Sequence, residues 1–89
     1  MSVVFQLYSK DDCPWCQKAV VLLTERGIPH NVQKLNEEDI RNKMYDSFGL
    51  VGKLRTVPQV VAYHDGGKKE HIGGYEDLVE YLDAMENSE

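Results

Sequence analysis

Near its start the chain passes straight from a strand-like run into a helix, and the residues at the junction are Cys13-Pro14-Trp15-Cys16. The run before the junction, Val3-Val4-Phe5-Gln6-Leu7-Tyr8, is rich in β-branched and aromatic residues and is closed by the polar Ser9-Lys10-Asp11-Asp12, which is the pattern of a short buried strand. After it, Pro14 suits a first helical position, Cys16, Ala19, Val20 and Leu23 recur at i, i+3, i+4 and i+7, and Gly27 supplies a stop. The chain has 89 residues and only these two cysteines, so they cannot provide the several cross-links of a secreted disulfide scaffold. A bond between them would close a loop too small to stabilise the fold much through chain entropy. The value of the pair is chemical.

The remaining elements follow from local punctuation. Ile28 to Leu35 reads as an edge strand around Val32. Asn36 is placed as the N-cap of a second helix, with Glu37, Glu38 and Asp39 in its first turn, Ile40, Met44 and Phe48 on one apolar face, and an end near Gly49. Val57 to Tyr63 reads as a strand with Pro58 at its start, where a missing amide donor does least harm. His64-Asp65-Gly66-Gly67 is a hairpin turn and Lys69 to Ile72 its return strand. After Gly73-Gly74, the residues Tyr75, Leu78, Val79 and Leu82 mark a third amphipathic helix running to about Met85. The order β-α-β-α-β-β-α implies an α/β domain with a parallel βαβ half and a closing antiparallel hairpin, hence a four-stranded mixed sheet covered by three helices. No repeat and no Pro- or Ser-rich linker interrupts it, so residues 1–89 are expected to form a single domain.

Composition excludes several functions. At 42% hydrophobic and 28% charged the chain is too apolar for disorder. Fifteen acidic residues against ten basic ones leave a net charge of −5, with no basic stripe to follow a nucleic acid. The longest apolar run, Ala19 to Leu23, is far short of the ~20 residues a membrane span requires, and nothing at the N-terminus has the form of a signal peptide. A soluble protein retained in the cell, with no nucleic-acid or membrane partner, is the expectation.

Cys13 and Cys16 stand at i and i+3, so both sulfurs lie on one side of the first helical turn and can form a disulfide. Free amides and the helix dipole there stabilise a thiolate at Cys13, and Lys10 acts in the same direction; Asp11 and Asp12 oppose it if their carboxylates point at the sulfur. Cys16, one turn further in on the face of Ala19 and Val20, is expected to be the less exposed sulfur. Cys13 would then attack a substrate disulfide and Cys16 would resolve the mixed disulfide. Two other uses of the pair stay open. Half a zinc site would need further ligands, and His64 and His71 stand some fifty residues away at the wrong spacing, with His30 better read as a solvated strand residue. A purely structural interaction module would be indifferent to loss of either cysteine.

Three segments together, Lys10 to Cys16, Arg55-Thr56-Val57-Pro58-Gln59-Val60 and Gly73-Gly74-Tyr75-Glu76-Asp77-Leu78, resemble the signature segments of the dithiol glutaredoxins, in that family's order and separations. The resemblance covers almost the whole chain. It implies a thioredoxin-like fold and a glutathione-dependent thiol-disulfide oxidoreductase that reduces protein disulfides and protein-glutathione mixed disulfides, with glutathione as co-substrate and no tightly bound cofactor. The expected partners are glutathione and disulfide-containing or glutathionylated proteins, ribonucleotide reductase among the candidates, and the expected state is a monomer in a reducing compartment such as the cytoplasm. A redoxin reduced directly by thioredoxin reductase, and a module that binds metal or bridges a cluster through the CxxC, are the alternatives.

The resemblance also implies a set of glutathione contacts. Thr56-Val57-Pro58 resembles the family's cis-proline loop, which leaves the Val57 backbone free to pair with a glutathionyl backbone as a one-residue strand addition. Gly74, Tyr75, Glu76 and Asp77 occupy the positions that hold the γ-glutamyl end, with helix-start amides on its carboxylate and Asp77 on its ammonium. Lys10, and Arg41 or Arg55, are candidates for the glycyl carboxylate. Trp15 replaces a tyrosine common in the family and offers a flat apolar wall beside the sulfur. The stretch Tyr45 to Leu54 is longer than in the shortest members, which leaves the identity of that cation open. Because Cys16 is present and Pro14 is not glycine, the cluster-inserting monothiol subgroup is a poor match.

Overall fold

The structure, a computed structural model, describes residues 3–86. Its elements run β1 (Val4–Ser9), α1 (Pro14–Glu25), β2 (His30–Lys34), α2 (Glu38–Ser47), β3 (Gln59–Tyr63), β4 (Lys69–Gly73) and α3 (Tyr75–Glu86), with single 3₁₀ turns at Gly52–Leu54 and Asp65–Gly67. The strands form one sheet in the order β2-β1-β3-β4. β1 and β2 are parallel, joined through α1, while β3 runs antiparallel to both β1 and β4. This is the mixed four-stranded sheet with three helices that the element order requires.

Alternation along β1 divides the molecule. Phe5 and Leu7 point to one face, where they are buried with Ala19 and Leu23 of α1, Val60 and Ala62 of β3, and Leu78 and Leu82 of α3. Burial of each large side chain here contributes roughly 1.5–3 kcal/mol. On the other face a smaller cluster, Leu35, Met44 and Tyr45, packs with Tyr8, Phe48, Leu50 and Val57 under α2. Arg26 closes the end of the α1–α3 pair with ion pairs to Glu86 at 2.7 Å and Asp83 at 3.6 Å. Helix α1 stops where expected: Gly27 sits at φ 66°, and the amides of Gly27 and Ile28 return to the carbonyls of Thr24 and Leu23.

Two local expectations are corrected around α2. Its N-cap is Glu37, with no side-chain cap bond, because Asn36 is engaged elsewhere: its Oδ1 accepts the Asp11 amide at 2.8 Å and its Nδ2 donates to the Asp11 carboxylate at 3.1 Å. The buried face of α2 is Met44 and Tyr45, which pack with Leu35, while Ile40 is 42% exposed and belongs to neither cluster. β3 begins at Gln59 and not Val57, because Val57–Pro58 is a cis peptide that turns the chain before the ladder starts.

Candidate active site

Cys13 is the N-cap of α1, and its sulfur accepts a hydrogen bond from the Cys16 amide at 3.2 Å. The sequence dictates this: Pro14 at the first helical position has no N–H, so the first-turn amide that converges on the capping atom is that of Cys16. The two cysteines are joined by a disulfide. Cys13, expected to be the open sulfur, is 6% exposed and Cys16 3%. The order is as expected, but the openness is not found in the oxidised state. Cys13 Sγ is bonded to Cys16 and lies 3.7 Å from the Val57 carbonyl oxygen, which leaves it little free surface.

The cis-proline loop thus stands directly against the CxxC. Among the described residues the Val57 amide has no protein acceptor. Beside the loop runs a groove of about 460 Å³ whose lining includes Trp15, Thr56, Val57, Tyr75, Glu76 and Asp77, with Gly74 between the loop and α3. Pro58 is buried beneath it, its carbonyl oxygen 3.7 Å from where a side chain on Gly74 would begin. Trp15 is half exposed, tilted against Tyr75 at 5.7 Å between ring centroids, with the Lys18 ammonium 4.3 Å from its own ring. Asp77 turns its carboxylate back to the Gly74 amide at 3.1 Å, closing the start of α3.

Lys10 is not in this groove. It lies on the other side of the cysteines, in a depression of about 380 Å³ that Cys13 and Cys16 also line, with Val21 and Val32 across it. There Asp11 pairs with Lys34 at 2.9 Å, and that bond, together with Asn36, holds the Asp11 carboxyl below the usual carboxylate range. Its charge is therefore directed to Lys34. The other two candidate cations are also committed. Arg41 donates to the Leu35 and Asn36 carbonyls at 2.8 and 2.9 Å, and Arg55 to the Leu50 carbonyl at 2.8 Å while pairing with Asp46 and lying over the Tyr45 ring. The cation that does line the groove is Lys53, in the 3₁₀ turn.

Gln59 and His71 also line the groove, and sequence reasoning gave neither a part in it. No residue pattern marks them, because they meet through strand pairing: Val61 faces His71, and β4 carries an irregularity just beyond, where Val60 faces Gly73. Across that irregularity the side chains still alternate: Ile72 packs toward the larger cluster and His71 stacks on Phe48 beside the smaller one, so the groove runs past both faces at this end of the sheet. The remaining histidines stand apart. His64 bonds to Glu70 and Tyr81, and His30 to the Ile28 carbonyl. Among the described residues no group of three or more His, Cys, Asp and Glu side chains is placed to hold a metal ion, and no helix is long and apolar enough to cross a membrane.

A glutaredoxin family model matches residues 5–66, more than half of the chain. The chain belongs to the glutaredoxin family. Among its relatives, Glutaredoxin-C4 of Arabidopsis thaliana is 35% identical over 83 residues, which are 93% of this chain and 56% of that protein, so this chain spans little more than half of the plant protein. Glutaredoxin 3 of Escherichia coli K12 is 32% identical over 73 residues, 82% of this chain and 78% of that one. In structure, the chain is similar to glutaredoxin 1 of Francisella tularensis, solved as a complex with cacodylate, at a TM-score of 0.73 and 27% identity over 98% of this chain and all of that one. It is similar as well to a buckwheat glutaredoxin solved with glutathione, at a TM-score of 0.63 and 28% identity over 91% of this chain and 69% of that one. Glutaredoxins are thiol oxidoreductases that use glutathione as a substrate. In this glutaredoxin the Cys13–Cys16 pair is the redox-active element.

Proposed function

We propose that this glutaredoxin is a glutathione-dependent dithiol oxidoreductase acting on protein-glutathione mixed disulfides and on protein disulfides. The observation that carries the proposal is the placement of Cys13 Sγ as the helix-capping acceptor of the Cys16 amide, next to the cis-proline loop. An acceptor position at a helix start favours negative charge on that atom, and so the thiolate over the thiol once the disulfide is reduced.

The chemistry then runs in two steps. The Cys13 thiolate attacks the glutathionyl sulfur of a mixed disulfide, forming the Cys13–glutathione bond and releasing the protein thiolate, which takes up a proton. A second glutathione thiolate attacks the glutathionyl sulfur, releasing Cys13 as thiolate and yielding glutathione disulfide. On a protein disulfide, Cys13 forms the mixed disulfide and Cys16 resolves it, leaving the intramolecular disulfide and a reduced substrate; two glutathiones then restore both thiols. Within the groove, Val57 is assigned to the backbone of the glutathionyl group and the α3 start at Gly74, Tyr75, Glu76 and Asp77 to its γ-glutamyl end. Trp15 is the wall beside the sulfur, and Lys53, in place of Lys10, is assigned to the glycyl carboxylate. We further assign the protein to a reducing compartment such as the cytoplasm, as a monomer with ribonucleotide reductase among its candidate substrates.

The test is reduction of a glutathionylated peptide by glutathione and glutathione reductase, for the parent, Cys13→Ser and Cys16→Ser. Cys13→Ser is expected to be inactive; Cys16→Ser keeps this activity and loses reduction of protein disulfides. Activity in Cys13→Ser refutes the assigned nucleophile. A parent that works with thioredoxin reductase but not with glutathione refutes the assigned reductant.

A further inference from the structure

Gln59 is a buried polar residue, 3% exposed, immediately after the cis proline. Its side-chain Nε2 donates to the Thr56 carbonyl at 2.8 Å. A carbonyl can only accept, so this bond fixes which end of the Gln59 amide is nitrogen and leaves Oε1 as an acceptor. His71 Nε2 stands 2.8 Å from that oxygen, so the imidazole carries its proton on Nε2 and donates it there. The ring is set for this bond by stacking on Phe48, with centroids 4.2 Å apart and planes 5° from parallel. A continuous chain of donors thus runs from His71 on β4 through Gln59 on β3 to the Thr56 carbonyl.

The target of that chain matters. The peptide joining Thr56 to Val57 is trans, so its C=O and N–H point in opposite directions. Turning the Thr56 carbonyl onto Gln59 turns the Val57 N–H away from it, to a side where that N–H meets no protein acceptor. We propose that His71 and Gln59 form a strut that fixes this peptide plane and so presents the Val57 N–H to the backbone of a glutathionyl substrate, which makes both of them positioning residues. The substrate half of this inference rests on the function proposed above. His71 reaches Gln59 because it pairs with Val61, two residues along β3 from Gln59 and therefore on the same face of the sheet.

The test uses His71→Phe, which keeps a ring to stack on Phe48 and removes the donor, and His71→Gln, which regains a donor. Loss of one hydrogen bond in the strut is expected to raise KM for a glutathionylated peptide about two- to tenfold in His71→Phe. Its kcat and the ionisation of the Cys13 thiol stay as in the parent, and His71→Gln recovers most of the loss. The same KM in His71→Phe as in the parent, equal losses in the two variants, or a fall in kcat with KM constant overturns the proposal. A second readout is the carbonyl ¹³C shift of Thr56 by NMR, which is expected to move in His71→Phe and in Gln59→Leu. If the parent fails to reduce the peptide at all, the proposed function falls, and the strut is then judged by this shift alone: an unmoved Thr56 carbonyl overturns it.

Discussion

Gly73 and Gly74 are neighbours at the start of α3, yet a methyl group added to each should have opposite consequences. A Cβ on Gly73 would stand 2.4 Å from Asp77 Oδ2 and 2.9 Å from its Cγ, and the residue has φ 121°, a conformation that L residues rarely adopt. A Cβ on Gly74 would find its nearest neighbour, the Pro58 carbonyl oxygen, at an ordinary 3.7 Å. For Gly73→Ala the backbone strain costs about 1–3 kcal/mol, and pushing the Asp77 carboxylate off the Gly74 amide forfeits a capping bond of about 1 kcal/mol, for a sum of roughly 2–4 kcal/mol. Gly74→Ala should cost at most about 1 kcal/mol. In guanidinium chloride, with an m-value of about 2 kcal/mol/M for a chain this small, the midpoints should fall by roughly 1–2 M and by no more than about 0.5 M. The double variant Gly73→Ala/Asp77→Ala removes the group that is struck, so its loss should be about 1 kcal/mol smaller than the sum of the two single losses. Equal midpoints for the two glycine variants, or simple additivity in the double variant, would refute the reasoning.

Phe5→Ala, at the centre of the larger cluster, should cost about 3–5 kcal/mol, read as a loss of midpoint in the same denaturation. Arg55→Met removes the tie between the 50–55 segment and α2 and should cost about 1–3 kcal/mol, with faster amide exchange in Gly52–Leu54. Lys53→Met should raise KM for a glutathionylated peptide more than Lys10→Met does, because only Lys53 lines the groove; the reverse ranking in steady-state assays would contradict the assignment. Partial desolvation holds the His71 pKa below its ordinary value, against an opposing pull from Asp77. The unfolded chain then binds the proton more readily, so this group's share of stability is complete above the free value near 6.5 and is lost as pH falls below it. Denaturation midpoints measured between pH 7.5 and 5 should therefore fall more steeply for the parent than for His71→Phe.

The course of the chain was legible because its elements announce themselves locally. Pro14 and Gly27 bracket α1, the strand of Phe5 and Leu7 alternates, and the glycines around Asp65 and Gly73 mark the turns. What escaped was set by partners distant in sequence. Asn36 has the composition of an N-cap, but Asp11, twenty-five residues earlier, offers it two hydrogen bonds and a cap offers one. Ile40 belongs to the apolar periodicity of α2 but packs in neither cluster, and Tyr45 is buried with Met44 and Leu35 instead. In the site, Trp15, Thr56, Val57, Gly74, Tyr75, Glu76 and Asp77 meet in one groove. Lys10 does not meet them, because Asp12 at φ 55° turns the chain between it and Cys13. Lys53 and His71 carry no motif, and Gln59 lies inside one without a part in the chemistry read from it. Lys53 is placed by a 3₁₀ turn, and Gln59 and His71 meet only through the β3–β4 pairing, neither of which has a clear imprint in residue type.

Among the described residues the two clusters on either side of the sheet are unequal, with eight buried residues against three, and the groove draws one wall from each. Tyr75 and Asp77 stand on a helix anchored in the larger cluster, so that wall is an anvil. On the other side only Leu50 packs against the smaller cluster while Leu54 is largely exposed, so with few buried contacts that segment is expected to open at lower free energy than the α3 wall. A cleft with one rigid jaw and one yielding jaw can grip a constant tripeptide against the first while the second gives way to whatever polypeptide the tripeptide is attached to.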